Sequence, residues 1–108
     1  MKSLNQVQLI GNLGSDPECK DHNGKMIAKF SIATGEEWID KTTNEKRGGT
    51  EWHKVVCFSK LAEIAQSYLK KGAKVYVAGK LKTSKWQDKN NENHFTTEVI
   101  VDDLIMLD

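Results

Sequence analysis

The chain has 108 residues, enough for one small domain with a single hydrophobic core over residues 1–108. Its formal net charge is only +1, but residues 54–89 hold nine lysines and two acidic residues, a balance of +7, while the rest carries −6. The overall charge therefore conceals a basic segment of the kind that attracts phosphate groups. We find no leader peptide pattern and no apolar run of membrane length, so we expect a cytoplasmic protein.

Residues that usually carry catalysis or bind metals are few and dispersed. Cys19 and Cys57 lie far apart without a CxxC partner, and the three histidines show no metal-ligand spacing with them. No paired carboxylates and no nucleophile with a nearby base stand out, and Glu63 is isolated in its predicted helix. We therefore expect a protein that is not an enzyme and that requires neither a metal nor another cofactor.

Two strands are predicted in the N-terminal part of the chain. The first covers Asn5–Leu13, with alternate apolar residues on one side. Residues 15–25 contain the only proline and an Asn-Gly pair, which predict a reversal of the chain. The second strand covers Met26–Thr34, with Phe30 on its core side, and Gly35 is expected to interrupt it.

A long hairpin arm is predicted next, over residues 36–49. This segment is polar and ends in two glycines, yet it contains Trp38 and Ile39. The residues alone leave two interpretations of Trp38 open. Its ring either packs on the underlying strands or is exposed as a flat platform.

Aromatic and basic side chains alternate on one side of the third predicted strand, Thr50–Phe58. Because the side chains of a strand point alternately to its two faces, one face carries Trp52, Lys54, Val56 and Phe58. The opposite face is apolar and includes Cys57, so we expect this cysteine to be a buried free thiol.

One helix is predicted over Lys60–Lys71. Its apolar side chains recur at intervals of three and four and form one stripe: Leu61, Ile64, Ala65, Tyr68 and Leu69. Ser59 is expected to cap the first turn and Gly72 to end the helix. Because Tyr68 belongs to the stripe, we expect its ring in the core.

The fourth predicted strand, Ala73–Trp86, repeats the pattern of the third. Lys80, Lys82 and Trp86 share one face, and the other face is apolar. A face buried in the core would not alternate aromatic rings with ammonium groups. Single-stranded nucleic acid offers flat bases and negative charge together, so the pattern favours a surface that binds it.

Residues 87–94 predict a turn, and Phe95–Met106 is the fifth predicted strand. Five short strands with a helix between the third and fourth have the order of an OB-fold. We therefore predict an all-β fold, a five-stranded Greek-key OB-fold barrel with one α-helix between strands 3 and 4. Barrels of this type bind oligonucleotides on one face.

Several segments carry a specific resemblance. They are VQLIGNLGSDPE at 7–18, FSIATGEEWIDKTTNE at 30–45, TEWH at 50–53, VVCFSKLAEIA at 55–65, YLKKG at 68–72, KW at 85–86 and TTEVIVDDL at 96–104. With these segments the sequence resembles the bacterial single-stranded DNA-binding protein family, whose tetrameric members have one OB-fold per subunit. The resemblance extends over essentially the whole chain.

The resemblance implies binding of single-stranded DNA with little sequence preference, in replication, recombination and repair, by a nucleoid-associated homotetramer. The family's base-stacking positions fall on Trp38, Trp52, Phe58 and Trp86. Its phosphate-contacting positions fall on Lys41, Lys54, Lys60, Lys70, Lys71, Lys82 and Lys85. The first strand and His53 match positions at subunit contacts, although a histidine satisfied within its own barrel remains an alternative.

The chain also departs from the family pattern. Ser84 stands where arginine is common, and several family arginines are lysines here. Lysine lacks the planar guanidinium fork, so we expect more diffuse contacts at those positions. The sequence ends at Asp108 without the family's acidic C-terminal tip. We expect a trimmed form or a short variant, without the tail on which replication and repair proteins dock.

Two other functions fit an OB-fold. A primosome-type protein would bind single strands as a dimer and bridge replication proteins, but the long TEWH…KW match argues against it. A protein-interaction module would have lost nucleic-acid binding, which is difficult to reconcile with intact aromatic residues in a segment of charge +7.

Overall fold

The computed structural model describes residues 2–107, which form six strands and one helix. The elements are β1 (Val7–Leu13), β2 (Glu18–His22), β3 (Lys25–Ile39), β4 (Lys46–Phe58), α1 (Ser59–Tyr68), β5 (Lys74–Gln87) and β6 (Asn93–Met106). Pairing follows the order β1-β5-β6-β4-β3-β2, and β1 also pairs with β3. Five strands therefore form a closed ring of pairings with the helix between β4 and β5, which is the predicted OB-fold.

The sixth strand, β2, was not predicted. Residues 15–25 do contain the expected reversal, with positive φ at Asn23 and Gly24, but the segments on both sides of it pair as a hairpin from Glu18↔Lys29 to His22↔Lys25. Four of the five β2 side chains are exposed. Because β2 is held by backbone hydrogen bonds and buries little, it has no hydrophobic alternation to detect in the sequence.

The prediction that Gly35 interrupts the second strand is wrong. β3 continues through Gly35, which pairs with Thr50, and the ladder extends to Ile39↔Lys46. A glycine still supplies a backbone donor and acceptor, so the ladder is maintained without a side chain. The predicted arm over residues 36–49 is confirmed as the outer part of the β3–β4 hairpin, and we call it the β3–β4 arm.

The core lies inside the ring of strands and beneath the helix. Its buried side chains include Ala28, Phe30, Ile32, Val55, Cys57, Val75, Val77, Val99 and Val101. The alternation that the sequence predicted is not complete: Val56, predicted on the face of Trp52, is also buried, with only 2% exposed. The helix closes the core with Ala62, Ala65 and Leu69. Full burial of one valine, leucine, isoleucine or phenylalanine side chain contributes about 1.5–3 kcal/mol. The core therefore stabilises the closed ring of strands from which the two hairpin arms extend.

The helix differs from its prediction at both ends. Phe58 is the N-cap, Ser59 makes no capping hydrogen bond and has a φ of 54°, and the helix ends at Tyr68. Leu69 is already extended, although its N–H still donates to the Ala65 carbonyl at 3.0 Å. Among residues 2–107 no helix is long and apolar enough to cross a membrane.

Tyr68 is not in the core, because 67% of it is exposed. The buried helix face is centred on the small residues Ala62 and Ala65, and Leu69 follows them into the core. Tyr68 therefore lies at the edge of the apolar stripe. Gly72 does not end the helix but occupies the turn into β5, with a φ of 89° and its N–H donating to the Leu13 carbonyl.

A bulge marks the place where β5 and β6 leave the ring. Ala78 pairs with Asp103 and Gly79 with Val101, so Asp102 is an extra residue on β6. A Cβ on Gly79 would collide with the backbone carbonyl of Ile100, which explains the glycine. Beyond this point the two strands extend as a second hairpin, the β5–β6 arm, over residues 80–98.

Candidate nucleic-acid interface

The four aromatic rings that the resemblance assigned to base stacking all lie outside the core. Trp38 is 52% exposed, Trp52 58%, Phe58 42% and Trp86 49%. The prediction that the rings of the central strands point outward is therefore confirmed. Their role in stacking stays a prediction.

Strand register assigns Trp52 and Lys54 to the outer face of the ring. They pair with Ala33 and Ser31 of β3, whose side chains alternate with the buried ones. The Trp52 ring packs on Gly14, where even a Cβ would collide with it. The loop between β1 and β2 thus supports one side of this tryptophan and leaves the other available.

A groove of about 350 Å³ lies on the same outer face. Its lining is Ser15, Glu18, Lys29, Phe30, Ser31, Lys54, Val55, Thr96 and Glu98. Lys29 approaches Glu98 at 3.9 Å, so the acidic groups are partly balanced. Two lining residues are neighbours of the tryptophans: Lys54 is two residues from Trp52, and Thr96 Oγ1 accepts a hydrogen bond from Trp86.

Trp86 lies in the β5–β6 arm, directly opposite His94. The two rings are stacked, with centroids 4.5 Å apart and an interplanar angle of 22°. The indole Nε1–H donates to Thr96 Oγ1 at 2.9 Å. Trp86 is thus held at one face and one edge, while about half of the residue remains exposed.

Asp88 organises the tip of the β5–β6 arm. Its Oδ1 accepts from the N–H groups of Asn90 and Glu92 at 2.8 and 3.0 Å, and its Oδ2 lies 2.7 Å from His94 Nε2. The contact with His94, followed by the backbone donors, holds the pKa of Asp88 below its ordinary value.

The same turn contains one group that could hold a metal ion. Possible ligand atoms of Asp88, Glu92 and His94 all lie within 4.8 Å of one another. The three residues also have a structural role without an ion, because Asp88 already bonds to His94 and to the backbone of Glu92. Exposed acidic groups of this type are common without a metal ion.

Trp38 lies in the β3–β4 arm and pairs with Arg47. In the register of this hairpin it shares its face with Arg47 and His53, opposite the face of Trp52. The structure therefore brings Trp52 and Phe58 to one face of the ladder but places Trp38 on the other.

The seven lysines assigned to phosphate contacts are all exposed, and none forms an ion pair with another residue of the range 2–107. Lys54 lies in the groove and Lys82 on the face of Trp86. Lys85 has the opposite strand parity, and Lys41 is in the tip of the β3–β4 arm. Lys60, Lys70 and Lys71 lie in the helix and the turn after it.

His53 has a partner within its own chain. The half-buried imidazole places Nε2 2.8 Å from Thr34 Oγ1. A role at a subunit contact stays a prediction. On the same strand, Cys57 is a buried free thiol as expected, and burial, with a smaller contribution from Cys19, raises its pKa to about 12.

Sequence reasoning did not identify Gly14, His94 or Thr96 as parts of this surface. Each acts on a tryptophan: Gly14 supports Trp52, and the other two fix Trp86. Folding the sequence about the turn at 88–92 places His94 opposite Trp86, and this was the available signal for the stacked pair.

A closed ring of five strands, with rings and lysines exposed around a groove, defines an oligonucleotide-binding barrel. A model of the Single-strand binding protein family matches residues 4–107, and the chain belongs to this family. A solved structure described as Plasmodium falciparum SSB complex with ssDNA is 42% identical to the chain, with a TM-score of 0.91. The similarity covers 100% of this chain and 98% of that chain.

Proposed function

We propose that this chain binds single-stranded DNA with little sequence preference and protects it during replication, recombination and repair, without catalysing a reaction. The observation that carries the proposal is the pair of exposed rings, Trp52 and Trp86, together with an outer groove lined by Lys54 and Thr96. Lys54 is two residues from Trp52, and Thr96 bonds to Trp86. Family membership and the similarity to a structure with bound single-stranded DNA support it.

The proposed binding combines stacking with charge neutralisation. Each base stacked on an aromatic ring contributes about 1–3 kcal/mol, and every base offers a π-face, so sequence has little influence. Lysine side chains neutralise phosphates and release counterions. Trp38 and Phe58 would extend the path of the bound DNA beyond the groove. The remaining exposed lysines would lie beside the DNA.

Homotetramer assembly in the cytoplasm, at the nucleoid, is part of the same proposal. Ile10, Tyr76 and Ile105 are direct neighbours across β1, β5 and β6, and both isoleucines are exposed. An apolar strip of this kind on an open sheet face suits a contact between subunits. Native mass spectrometry should give four copies of the chain, and a dimer would favour the primosome-type alternative.

The central test is a titration of the protein with oligo(dT), followed by tryptophan fluorescence. We expect quenching, because bases stack on exposed indole rings. If a subunit neutralises about five phosphates, log K should fall with log salt with a slope near −3.5. Duplex DNA of the same length is the control and should bind more weakly. Unchanged fluorescence together with an affinity independent of salt would refute the proposal.

A further inference from the structure

His94 is the residue of the β5–β6 arm that contacts the face of Trp86. Their rings are stacked, the one such pair among residues 2–107. The two residues are directly opposite each other on β5 and β6. Their centroid distance of 4.5 Å lies at the short end of the range for stacked aromatic pairs. One face of the indole is therefore covered before any ligand arrives.

The His94 ring is itself fixed from the turn. Its Nε2 contacts Asp88 Oδ2 at 2.7 Å, and the other oxygen of Asp88 accepts from two backbone N–H groups of the turn. A continuous series of contacts thus runs from the backbone of the turn through Asp88 and His94 to Trp86. Thr96 fixes the indole edge independently.

We propose that His94 is a positioning residue for nucleic-acid binding, which covers one face of Trp86 and directs the opposite face toward a base. This inference rests on the proposed function. A bound base would then form a three-layer stack of base, indole and imidazole. Trp86 would accept one base on one face and could not intercalate between two.

The benefit of this arrangement is preorganisation. A ring that is ordered in the free protein loses little side-chain freedom when a base stacks on it, whereas a mobile ring loses more. Removal of the imidazole should therefore weaken binding moderately. We expect a loss of about two- to tenfold in affinity for oligo(dT), which is the range for ordering one side chain.

The decisive experiment is a double-mutant cycle on the intact chain with His94→Ala, Trp86→Ala and the double variant. If His94 acts through Trp86, its replacement weakens oligo(dT) binding in the wild-type background and has no further effect in the Trp86→Ala background. An equal loss in both backgrounds would overturn the proposal, because His94 would then contact DNA on its own. Wild-type affinity in His94→Ala would overturn it as well.

Two further variants separate positioning from a general structural effect. His94→Phe retains a flat ring opposite Trp86 and should restore affinity to within about twofold of the wild type, since stacking does not require the imidazole. His22→Ala replaces an exposed histidine of β2 and should leave affinity unchanged. Failure of rescue by His94→Phe in a folded protein, verified by circular dichroism, would contradict the proposal.

A spectroscopic measurement on the free protein reports the position of the ring directly. With Trp38 and Trp52 replaced by Phe, the remaining indole emission comes from Trp86. His94→Ala should lower its anisotropy and increase its quenching by acrylamide. Nuclear Overhauser contacts between the two rings in the wild-type chain provide the same test without substitutions, and their absence would overturn the inference even if a variant failed to fold.

The two proposals fail in different ways. If wild-type protein does not bind oligo(dT), the proposed function is wrong. If wild-type protein binds and Trp86→Ala weakens binding while His94→Ala does not, the function stands and the positioning role is wrong.

Discussion

The two arms have tips built on the same hydrogen-bonding plan. In each arm a tryptophan is followed two residues later by an aspartate, and that aspartate bonds to the side chain opposite the tryptophan. In the β3–β4 arm, Asp40 accepts from the N–H of Thr42 at 2.8 Å, and Arg47 donates to Asp40 Oδ2 at 3.1 Å. Arg47 is the residue that pairs with Trp38.

The β5–β6 arm repeats this plan with a different residue opposite its tryptophan. Asp88 accepts from backbone N–H groups of the turn and bonds to His94, which pairs with Trp86. Each turn also contains an asparagine with positive φ, 60° at Asn44 and 62° at Asn91. Asparagine tolerates this conformation better than most residues.

The arms differ in what holds the tryptophan. Trp86 is stacked by an imidazole and bonded at its edge, whereas the Trp38 ring has neither a stacking partner nor an Nε1 hydrogen bond among the described residues. The Arg47 guanidinium instead divides its contacts between Asp40 and Glu45. The same turn arrangement therefore supports one tryptophan with a stacking partner and one without, according to the residue opposite it.

The largest expected effect is on affinity when either ring is removed. Trp86→Ala should weaken oligo(dT) binding by about 2 kcal/mol, roughly thirtyfold, and Trp38→Ala by about 1 kcal/mol, because no stacking partner orders the Trp38 ring before binding. Fluorescence anisotropy of labelled oligo(dT) measures both. Circular dichroism should show unchanged folding, since both rings lie outside the core. A larger loss in Trp38→Ala would break the distinction between the arms.

A smaller effect is expected from the lysines of the arms. Lys41→Gln and Lys85→Gln each remove one exposed cation, one from each arm. If each lysine neutralises one phosphate, each substitution should make the salt slope less negative by about 0.7, and the double variant by about 1.4. The measurement is the affinity for oligo(dT) at a series of salt concentrations, from which the slope of log K against log salt is obtained.

The control for the lysine series is Lys25→Gln, an exposed lysine at the β2–β3 turn and away from both arms, which should leave the slope unchanged. Equal slopes in all variants would mean that the arm lysines do not contact phosphate. A change in the salt slope for the lysine of one arm alone would show that the bound DNA follows only that arm.

The parts of this structure that bury side chains could be predicted from the sequence. Alternation along Thr50–Phe58 located β4 and the exposed positions of Trp52 and Phe58, and it failed only at Val56, which has the same parity and is buried. The apolar stripe located the helix for the same reason. The outward position of Trp86 followed from alternation along β5.

Features that depend on pairing rather than burial were not predicted. β2 is held mainly by backbone bonds and packs only Cys19 against the core, so its composition carries little signal. The exposure of Tyr68 depends on how the helix axis is rotated over the core. The stack between Trp86 and His94 requires the exact register of two 14-residue strands, and a shift by one residue would place the rings on opposite faces.

The smallest expected effect is the acid response of the β5–β6 tip. The contact with His94 is the main reason that the pKa of Asp88 is lower in the folded protein than in the unfolded chain. The ionised carboxylate therefore stabilises the turn fully above the unfolded pKa of about 3.9. This stabilisation is lost as the pH falls through the lower folded pKa. The indole Nε1–H resonance of Trp86, followed by NMR, should therefore shift below about pH 4, as His94 loses its ionised partner. Asp88→Asn should abolish this shift while the resonance of Trp52 is unaffected. A wild-type Trp86 resonance that stays constant through this range would show that the turn does not control the ring.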